Sequence, residues 1–332
     1  MSIPYPDSVL KDTISGIALT ILLSSIAISM PIIGFVCLLL LPQPAIFYRL
    51  KLGRKPGLAV IGAPILLILL FSGEFFADAA FLFGMLGLGF FMGECLERRL
   101  PLEKTVGYAC GAVVMAGFFA LMIYANMMNV GIITWVSDYI SKNLQMTVVL
   151  YEKMGMPEES IRMIEASMAQ ITYVLVRILP SLIVAGLLFA GWLNLLAARG
   201  LFGRFQMAYA DFGPLNRWKA PDFLVWVVIA GIAMVLIPST AFKVPGVNCL
   251  VVLMTVYFFQ GIAVMAFYFE KKGIPRFLRG LIYAFIAIQQ FLLLVVVGLG
   301  FFDVWANFRR IDDAPTNGPD SGPTAGDPPD KH

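Results

Sequence analysis

Two long apolar runs separated by a short basic turn constrain this chain more than any other feature. The runs are residues 248–269 and 281–302, each of 22 residues, and the turn between them carries four basic side chains. At a rise of about 1.5 Å per residue, a helix of this length crosses a hydrocarbon core of about 30 Å. The pattern therefore predicts a membrane-spanning helical hairpin.

Similar apolar runs recur along the chain, whose 332 residues are 59% hydrophobic and 14% charged. Soluble domains are about 45–50% apolar and about 25% charged. We therefore expect one all-α, polytopic transmembrane bundle over residues 1–310. It has about nine spans, or eight if residues 14–41 form one. The predicted spans are 14–30, 31–48, 57–72, 75–95, 105–124, 171–197, 221–237, 248–269 and 278–301.

The first apolar run allows more than one interpretation. Pro31 lies in its middle, and Pro42 and Pro44 follow it. Proline removes a backbone donor, so a helix broken there leaves free carbonyl groups at membrane depth, which are tolerated only against protein or water. The segment LPQP, residues 41–44, is therefore a candidate cavity wall. Because Lys11 precedes the run, a signal peptide is the competing interpretation.

Basic residues cluster in four loops between the predicted spans. Lys and Arg next to span ends favour the cytoplasmic side, so loops 49–56, 97–104, 198–220 and 270–279 are predicted to be cytoplasmic. The tail at 311–332 lacks apolar periodicity and is predicted to be disordered and acidic. Its side stays open, because a nine-span count places it outside whereas Arg309 and Arg310 favour the inside.

Residues 126–169 interrupt the apolar pattern with eight charged side chains. Apolar residues from Ile132 to Ile140 recur at helical spacing, which predicts an amphipathic helix lying in the membrane interface. Gly155 to Glu159 reads as a helix start, since proline lies in the first turn and acidic residues follow it. Parity of the spans places this segment outside.

Glycines spaced along two predicted helices indicate close helix packing. Small residues four apart lie on one helix face and let another backbone approach. Packing within one chain and a homodimer contact are both open for them. The candidate packing residues are Gly84, Gly89, Gly93, Gly107 and Gly111.

A few polar residues lie inside or at the edge of predicted spans. Asn248 either makes a cap or interhelical bond or donates to a ligand in a cavity. Gln260 lies mid-span, so it needs a partner on another helix or a ligand. Gln289 and Gln290 point at adjacent faces, so we expect at least one to face the bundle.

Two charged residues near span ends have further alternatives. Arg177 lies about seven residues into its span, so it either snorkels to the nearer interface or faces the bundle. Asp303 and Trp305 are typical of an interface anchor, in which Asp303 pairs with Arg309 or Arg310.

The sequence carries no pattern of a catalytic or metal site. The only histidine is His332, and the four cysteines, at 37, 95, 110 and 249, are widely spaced. Zinc, disulfide and histidine-based chemistry are therefore not expected. HExxH, GxSxG and Walker motifs are also missing. We expect no enzyme activity, no cofactor and no nucleic-acid partner.

Several stretches resemble a known family. RILPSLIVAG, WLNLLAARGLFGR, APDFLVWV, VNCLVVLMTVYFFQGIAVMAFYFEKKG and GLGFFDVWANFRR resemble the YybS-like family of predicted bacterial membrane proteins, a domain family of unknown function. The pattern is carried by Arg177 with Pro180, Asn194, Asn248, Gln260 with Gly261, and Asp303 to Arg309. The resemblance implies the bacterial plasma membrane and no established activity. The N-terminal half, with LPQP, is similar in architecture to the substrate-binding subunits of energy-coupling-factor vitamin transporters.

Two functions from different classes follow from these observations. The first is a solute-binding transporter subunit or permease, with a cavity lined by LPQP, Asn248 and Gln260 and a separate energy-coupling partner. The second is a non-transporting membrane scaffold or assembly protein that binds other membrane proteins. A cavity with convergent polar groups favours the first, and a filled bundle favours the second.

Overall fold

A computed structural model describes residues 6–71, 76–205 and 215–309. In this part of the chain the regular structure consists of twelve α-helices and one short 3₁₀ turn at Leu215–Arg217. The connection between the predicted spans 57–72 and 75–95, residues 206–214 of the predicted loop 198–220, and the predicted tail at 311–332 lie outside the described residues. The helices are α1 (Pro6–Ser29), α2 (Pro31–Leu40), α3 (Pro42–Leu52), α4 (Arg54–Phe71), α5 (Phe76–Glu97), α6 (Leu102–Met127), α7 (Ile132–Lys153), α8 (Glu158–Phe205), α9 (Leu224–Leu236), α10 (Thr240–Lys271), α11 (Arg276–Ile288) and α12 (Gln290–Ala306).

Six helical segments of the described chain are long and apolar enough to cross a membrane, and a seventh is obtained if α11 and α12 count as one. The all-helical, multi-pass prediction is therefore confirmed, but the count of nine spans is not. The predicted span at 221–237 contains only the 13 residues of α9. The six segments are Ser8–Ser29, Ile33–Leu52, Ala80–Glu97, Leu102–Met127, Glu158–Gly203 and Thr240–Lys271.

The first apolar run folds as two helices that meet at Met30. Its backbone is extended (φ −124°, ψ 115°), and Pro31 begins the next helix. The second helix turns back on the first, because a Cβ added to Gly34 would lie 2.7 Å from the carbonyl oxygen of Ala27. Residues 14–41 are therefore not one straight helix.

The loops at 49–56 and 97–104 lie at the same end of the bundle. Arg49 near the end of α3 donates to Glu94 near the end of α5 at 2.7 Å, so these two helices run in the same direction. Lys51 pairs with Asp12 of α1 at 2.8 Å, which brings the start of α1 to this end as well. We call it the basic end.

The segment predicted as one span at 278–301 folds as two helices, α11 and α12, with a sharp bend between them. They are bent by 109° at Gln289, where an extended backbone (φ −95°, ψ 103°) interrupts the helix. Arg279 of α11 donates to the carbonyl of Phe269 at 3.2 Å, and Tyr268 donates to the carbonyl of Phe308 at 2.8 Å. The start of α11 and the end of α12 therefore both lie beside the end of α10, and the single crossing predicted here stays a prediction.

The predicted interfacial segment consists of α7 and the first part of α8. The predicted helix start is present, because α8 begins at Glu158 directly after Pro157. The hydroxyl oxygens of Ser141 and Thr172 lie 3.4 Å apart, so α7 runs antiparallel along α8. At about 1.5 Å per residue, the 48 residues of α8 extend for about 72 Å, far more than a hydrocarbon core. The interface location of α7 stays a prediction.

Candidate functional site

A buried polar network joins α10, α12 and the segment before α9. Asp303 accepts from Arg309 Nη2 at 2.6 Å and from Gln260 Nε2 at 3.2 Å through the same oxygen, Oδ2. The Oε1 atom of Gln260 accepts from the backbone N–H of Ala220 at 3.3 Å. The side chains of Asp303 and Arg309 are 3% and 1% exposed, and Gln260 is fully buried. Gln260 thus binds the Asp303 side chain of α12 and a backbone amide of the segment before α9.

The chain reversal after α12 brings Arg309 into this network. Asn307, the residue after the helix end, adopts a left-handed conformation (φ 41°, ψ 50°), which asparagine tolerates better than most residues. Arg309 then donates from Nη1 to the carbonyls of Asn216 and Trp218, both at 2.9 Å. The loop before α9, the end of α10 and the end of α12 are therefore fixed to one another at one end of the bundle.

Two glycines let α10 and α12 touch through their backbones. A Cβ added to Gly261 would overlap the carbonyl oxygen of Val296, and one added to Gly300 would overlap the carbonyl oxygen of Tyr257. The sequence analysis gave these glycines no packing role, because they are not four apart on one helix. Their spacing across two helices could be recognised only with the partner helix known.

Asn248 of α10 binds the backbone of α8 beside Pro180. Its Nδ2 donates to the carbonyl of Arg177 at 2.8 Å, and its Oδ1 accepts from the N–H of Ser181 at 3.1 Å. These two groups are the ones that an undisturbed helix joins by its i→i−4 bond. The side-chain amide of Asn248 therefore bridges α8 at its internal proline, which is the interhelical alternative considered above.

Asn194 of α8 packs against the proline-rich junction of α2 and α3. It is fully buried and donates to the carbonyls of Leu39 and Ala190, both at 2.7 Å. Gln43, between the two prolines of LPQP, donates to the carbonyl of Asn194 at 2.5 Å. LPQP thus contacts another helix, although the Oε1 of Gln43 and the Oδ1 of Asn194 have no hydrogen-bond partner among the described residues.

A second buried charge cluster was missed by the sequence analysis. Arg49 is 1% exposed and pairs with Glu94 at 2.7 Å and Glu97 at 2.5 Å. Gly93 makes room for it, since an added Cβ there would lie 2.8 Å from the Cγ of Arg49. The available signal was Glu94, an acidic residue inside the predicted span 75–95.

Comparison with known proteins assigns the family. Residues 18–304 match the model of a family described as predicted membrane protein, DUF2232. The chain belongs to this family. It is also 23% identical over 270 residues to a protein of Bacillus subtilis strain 168 described as "Uncharacterized protein YybS", and the match covers 78% of this chain and 84% of the relative.

No solved structure matches this DUF2232 chain. The YybS-like resemblance is thus confirmed at the level of a predicted membrane family. The likeness of the N-terminal half to energy-coupling-factor subunits is not shown.

Other predicted residues of this DUF2232 chain lie away from the buried networks. The side chain of Arg177 turns back along its own helix and donates to the carbonyl of Tyr173 at 3.0 Å. Its Cζ lies 3.3 Å from the centre of the Tyr173 ring. Gln289 and Gln290 are both exposed at the bend, so the prediction that one faces the bundle is wrong.

The predicted packing glycines divide into two groups. Gly89 contacts Pro42 and Ala45 of α3, and Gly84 lies within reach of Val113. A Cβ added to Gly107 or Gly111 would meet no atom within 4 Å. Only the first group lies against a neighbouring helix of the described chain.

Two open, shallow grooves in the described part of this DUF2232 chain lie on the α7/α8 pair. One, of about 460 Å³, is lined by Lys142, Gln145, Met146, Val149, Leu150 and Lys153. The other, of about 600 Å³, is lined by Glu158, Glu159, Arg162, Met163 and Ala166. Both lie away from Asn194, Asn248, Gln260 and Asp303. The described residues contain no group of three or more His, Cys, Asp or Glu side chains arranged for a metal ion.

Proposed function

We propose that this DUF2232 protein is a non-transporting membrane scaffold or assembly protein whose partner-binding surface is the α7/α8 hairpin. The proposal rests on one observation: the polar residues of the predicted spans bind other helices. Gln260 and Asp303 bind one another, and Asn248 binds the backbone of α8. A solute-binding site needs such groups to converge on a cavity, whereas here they join helices.

The orientation follows from the basic end. We propose that this end is cytoplasmic, because Lys and Arg next to span ends favour that side. The chain would then cross the plasma membrane eight times, through α1, the α2–α3 pair, α4, α5, α6, α8, α9 and α10. The pair α11–α12 would enter from the cytoplasm and return to it. Both ends of the described chain would be cytoplasmic, because Asp12 pairs with Lys51 at the basic end and an even number of crossings returns the chain to the same side.

The hairpin would then project from the outer surface. Aromatic rings mark membrane interfaces. At the base of α7, Trp135 stacks on Tyr139 and meets the ring of Tyr124 edge to face. Arg177 lies over Tyr173 on α8, which we place at the same interface. From Arg177 to the start of α8 at Glu158 is about 29 Å at about 1.5 Å per residue. Because α8 continues from its span without interruption, its first part would extend away from the membrane and would not lie in the interface.

Native mass spectrometry of the protein, extracted in mild detergent from its own membranes, tests the proposal. The same sample is analysed for bound small molecules and for co-purified proteins. We expect a protein at fixed stoichiometry, a second copy of the chain included. It should be lost with Ala166→Glu on the grooved face of α8, and retained with Ser167→Glu on the other flank of that helix.

The opposite result would overturn the proposal. It consists of a recurrent small molecule in the wild-type sample, lost with Asn194→Leu, together with no protein that responds to Ala166→Glu. The hairpin variants are suitable because Ala166 and Ser167 are both exposed, so neither substitution disturbs the bundle.

One observation favours the second candidate, a solute-binding transporter subunit or permease. The amide oxygens of Gln43 and Asn194 are buried without a partner among the described residues, next to the prolines of LPQP. Buried acceptors are normally satisfied, so a small donor or a cation at this junction would account for them. In that case a separate energy-coupling membrane protein would be required, since the sequence carries no nucleotide-binding motif.

A further inference from the structure

We infer that the partner of the α7/α8 hairpin is a second copy of this chain, which binds so that the two hairpins form a four-helix bundle outside the membrane. The inference rests on the proposed function and names the partner for the surface described there. It is carried by the charges of the two grooves, their position on one face, and their matching distances from the membrane.

The two grooves have opposite charge around apolar centres. The groove on α7, the basic groove, carries Lys142 and Lys153 on either side of Met146, Val149 and Leu150. The groove on α8, the acidic groove, carries Glu158 and Glu159 beside Met163 and Ala166, with Arg162 paired to Glu158 at 3.2 Å. The formal charges are +2 for the basic groove and −1 for the acidic one. Each groove therefore complements the other.

Helical geometry places both grooves on the same face of the hairpin. Val148 and Ile161 are buried, at 5% and 8% exposure, in the contact between α7 and α8. At about 100° per residue, Val149 and Lys153 lie about 100° and 140° round from Val148. Ala166 lies about 140° round from Ile161, in the same rotational sense. Because the helices are antiparallel, an equal sense of rotation turns both grooves to one side.

Corresponding parts of the two grooves lie at equal distances from the membrane. The contact between Ser141 and Thr172 gives a common starting level. At about 1.5 Å per residue, Met146 lies about 7.5 Å from this level and Ala166 about 9 Å, both towards the tip of the hairpin.

The charged residues match in the same way. From the same starting level, Lys153 lies about 18 Å towards the tip and Glu159 about 19.5 Å. A two-fold axis along the membrane normal keeps these levels. It therefore places Lys153 of one copy beside Glu159 of the other, and Met146 beside Ala166.

The hairpin also lacks a sufficient core of its own. Its outer face leaves Met146, Leu150 and Met163 at 57%, 55% and 61% exposure. A short pair of helices in water is marginally stable unless an apolar face is covered. Pairing α7 with α8 of the second copy gives an up-down arrangement in which every neighbour is antiparallel, the usual geometry of four-helix bundles.

Cross-linking between two tagged copies in native membranes tests this inference. One full-length copy carries Met146→Cys and the other Ala166→Cys, so that only an intermolecular cross-link joins the two tags. A short bis-maleimide should give the doubly tagged product. The matched control pair is Thr147→Cys with Ser167→Cys, on the opposite flanks of the same helices at similar levels, and it should give only the background of the native cysteines.

Charge exchange provides an independent measurement on the same product. Lys153→Glu in both copies should reduce the cross-linked yield by about fivefold, the factor expected when two surface ion pairs are lost per dimer. Adding Glu159→Lys restores the opposite charges and should restore the yield.

Two results would overturn the inference. Equal yields from the grooved and the control pairs would indicate random collision. A cross-link from Met146→Cys to a different protein, with none to Ala166→Cys, would exclude the second copy as the partner but leave the hairpin as a docking surface. The second result distinguishes a failure of this inference from a failure of the proposed function.

Discussion

Arg309 and Asp303 form an ion pair at 2.6 Å with both side chains almost fully buried. Arg309 also binds two backbone carbonyls of the loop before α9, while Asp303 also accepts from Gln260 of α10. The pair therefore joins three segments that are distant in sequence, and its loss affects all of them.

Removing one partner of this pair should destabilise the protein strongly. Asp303→Leu leaves the Arg309 charge buried and unpaired, which costs about 3–5 kcal/mol in proteins generally. The double variant Asp303→Leu/Arg309→Met removes both charges and should recover part of that loss. The free energy of unfolding in mixed detergent micelles measures both effects.

The exposed pair of Glu158 and Arg162 serves as control. Its side chains are 84% and 78% exposed, so Glu158→Gln should change the same free energy by about 0.5 kcal/mol or less. The free-energy losses of Asp303→Leu and Arg309→Met are also compared with that of the double variant. If the double variant lost as much as the two single variants together, Asp303 and Arg309 would act independently, and the paired arrangement would be contradicted.

Alanine at the predicted packing glycines should separate them into two classes. Gly89→Ala brings a Cβ to 2.8 Å from the Cβ of Ala45, and overpacking of this kind costs about 1–3 kcal/mol. Gly107→Ala meets nothing within 4 Å, and replacing glycine inside a helix by alanine gains up to about 1 kcal/mol. Relative to the wild-type protein, the free energy of unfolding should therefore fall with Gly89→Ala and rise with Gly107→Ala. A loss of stability with Gly107→Ala would instead indicate a contact with another chain.

Asn248 should control the local stability of α8 beside Pro180. Asn248→Leu leaves the carbonyl of Arg177 and the N–H of Ser181 without their side-chain partner. We expect this loss to destabilise the protein by about 1–3 kcal/mol. Hydrogen–deuterium exchange should show faster exchange of the Ser181 amide. Asn143→Leu, at an exposed site on α7, is the matched control and should leave that amide unchanged. Unchanged protection of Ser181 in Asn248→Leu would contradict the bridging role.

Much of the helical architecture could be predicted because it depends on local composition. Apolar length and basic loops indicated a multi-pass bundle, and Pro31 indicated the break that the backbone makes at Met30. The pairing of Asp303 with Arg309 was also expected, since both residues flank one helix end. These features need no knowledge of which helices are neighbours.

The features that were missed depend on neighbours or on a single backbone conformation. The Arg49 cluster requires α3 beside α5, and the backbone contact at Gly261 requires α12 beside α10. The bend at Gln289 requires an extended residue in a run whose hydropathy is uniform. Apolar length alone cannot distinguish such a bent pair from a straight span.

Cysteine labelling from the two sides of the membrane should distinguish the bent pair from a single span. Lys272, before α11, and Phe308, after α12, are both exposed. Lys272→Cys and Phe308→Cys should react from the same side with an impermeant maleimide, because Tyr268 and Arg279 hold both helix ends beside the end of α10. Met154→Cys, at the tip of the hairpin and 71% exposed, should react from the opposite side. The wild-type protein gives the background from the native cysteines. If residues 278–301 cross the membrane once, Phe308→Cys should instead react from the same side as Met154→Cys. That result would place the end of α12 on the outer side and contradict the proposed return of α11–α12 to the cytoplasm.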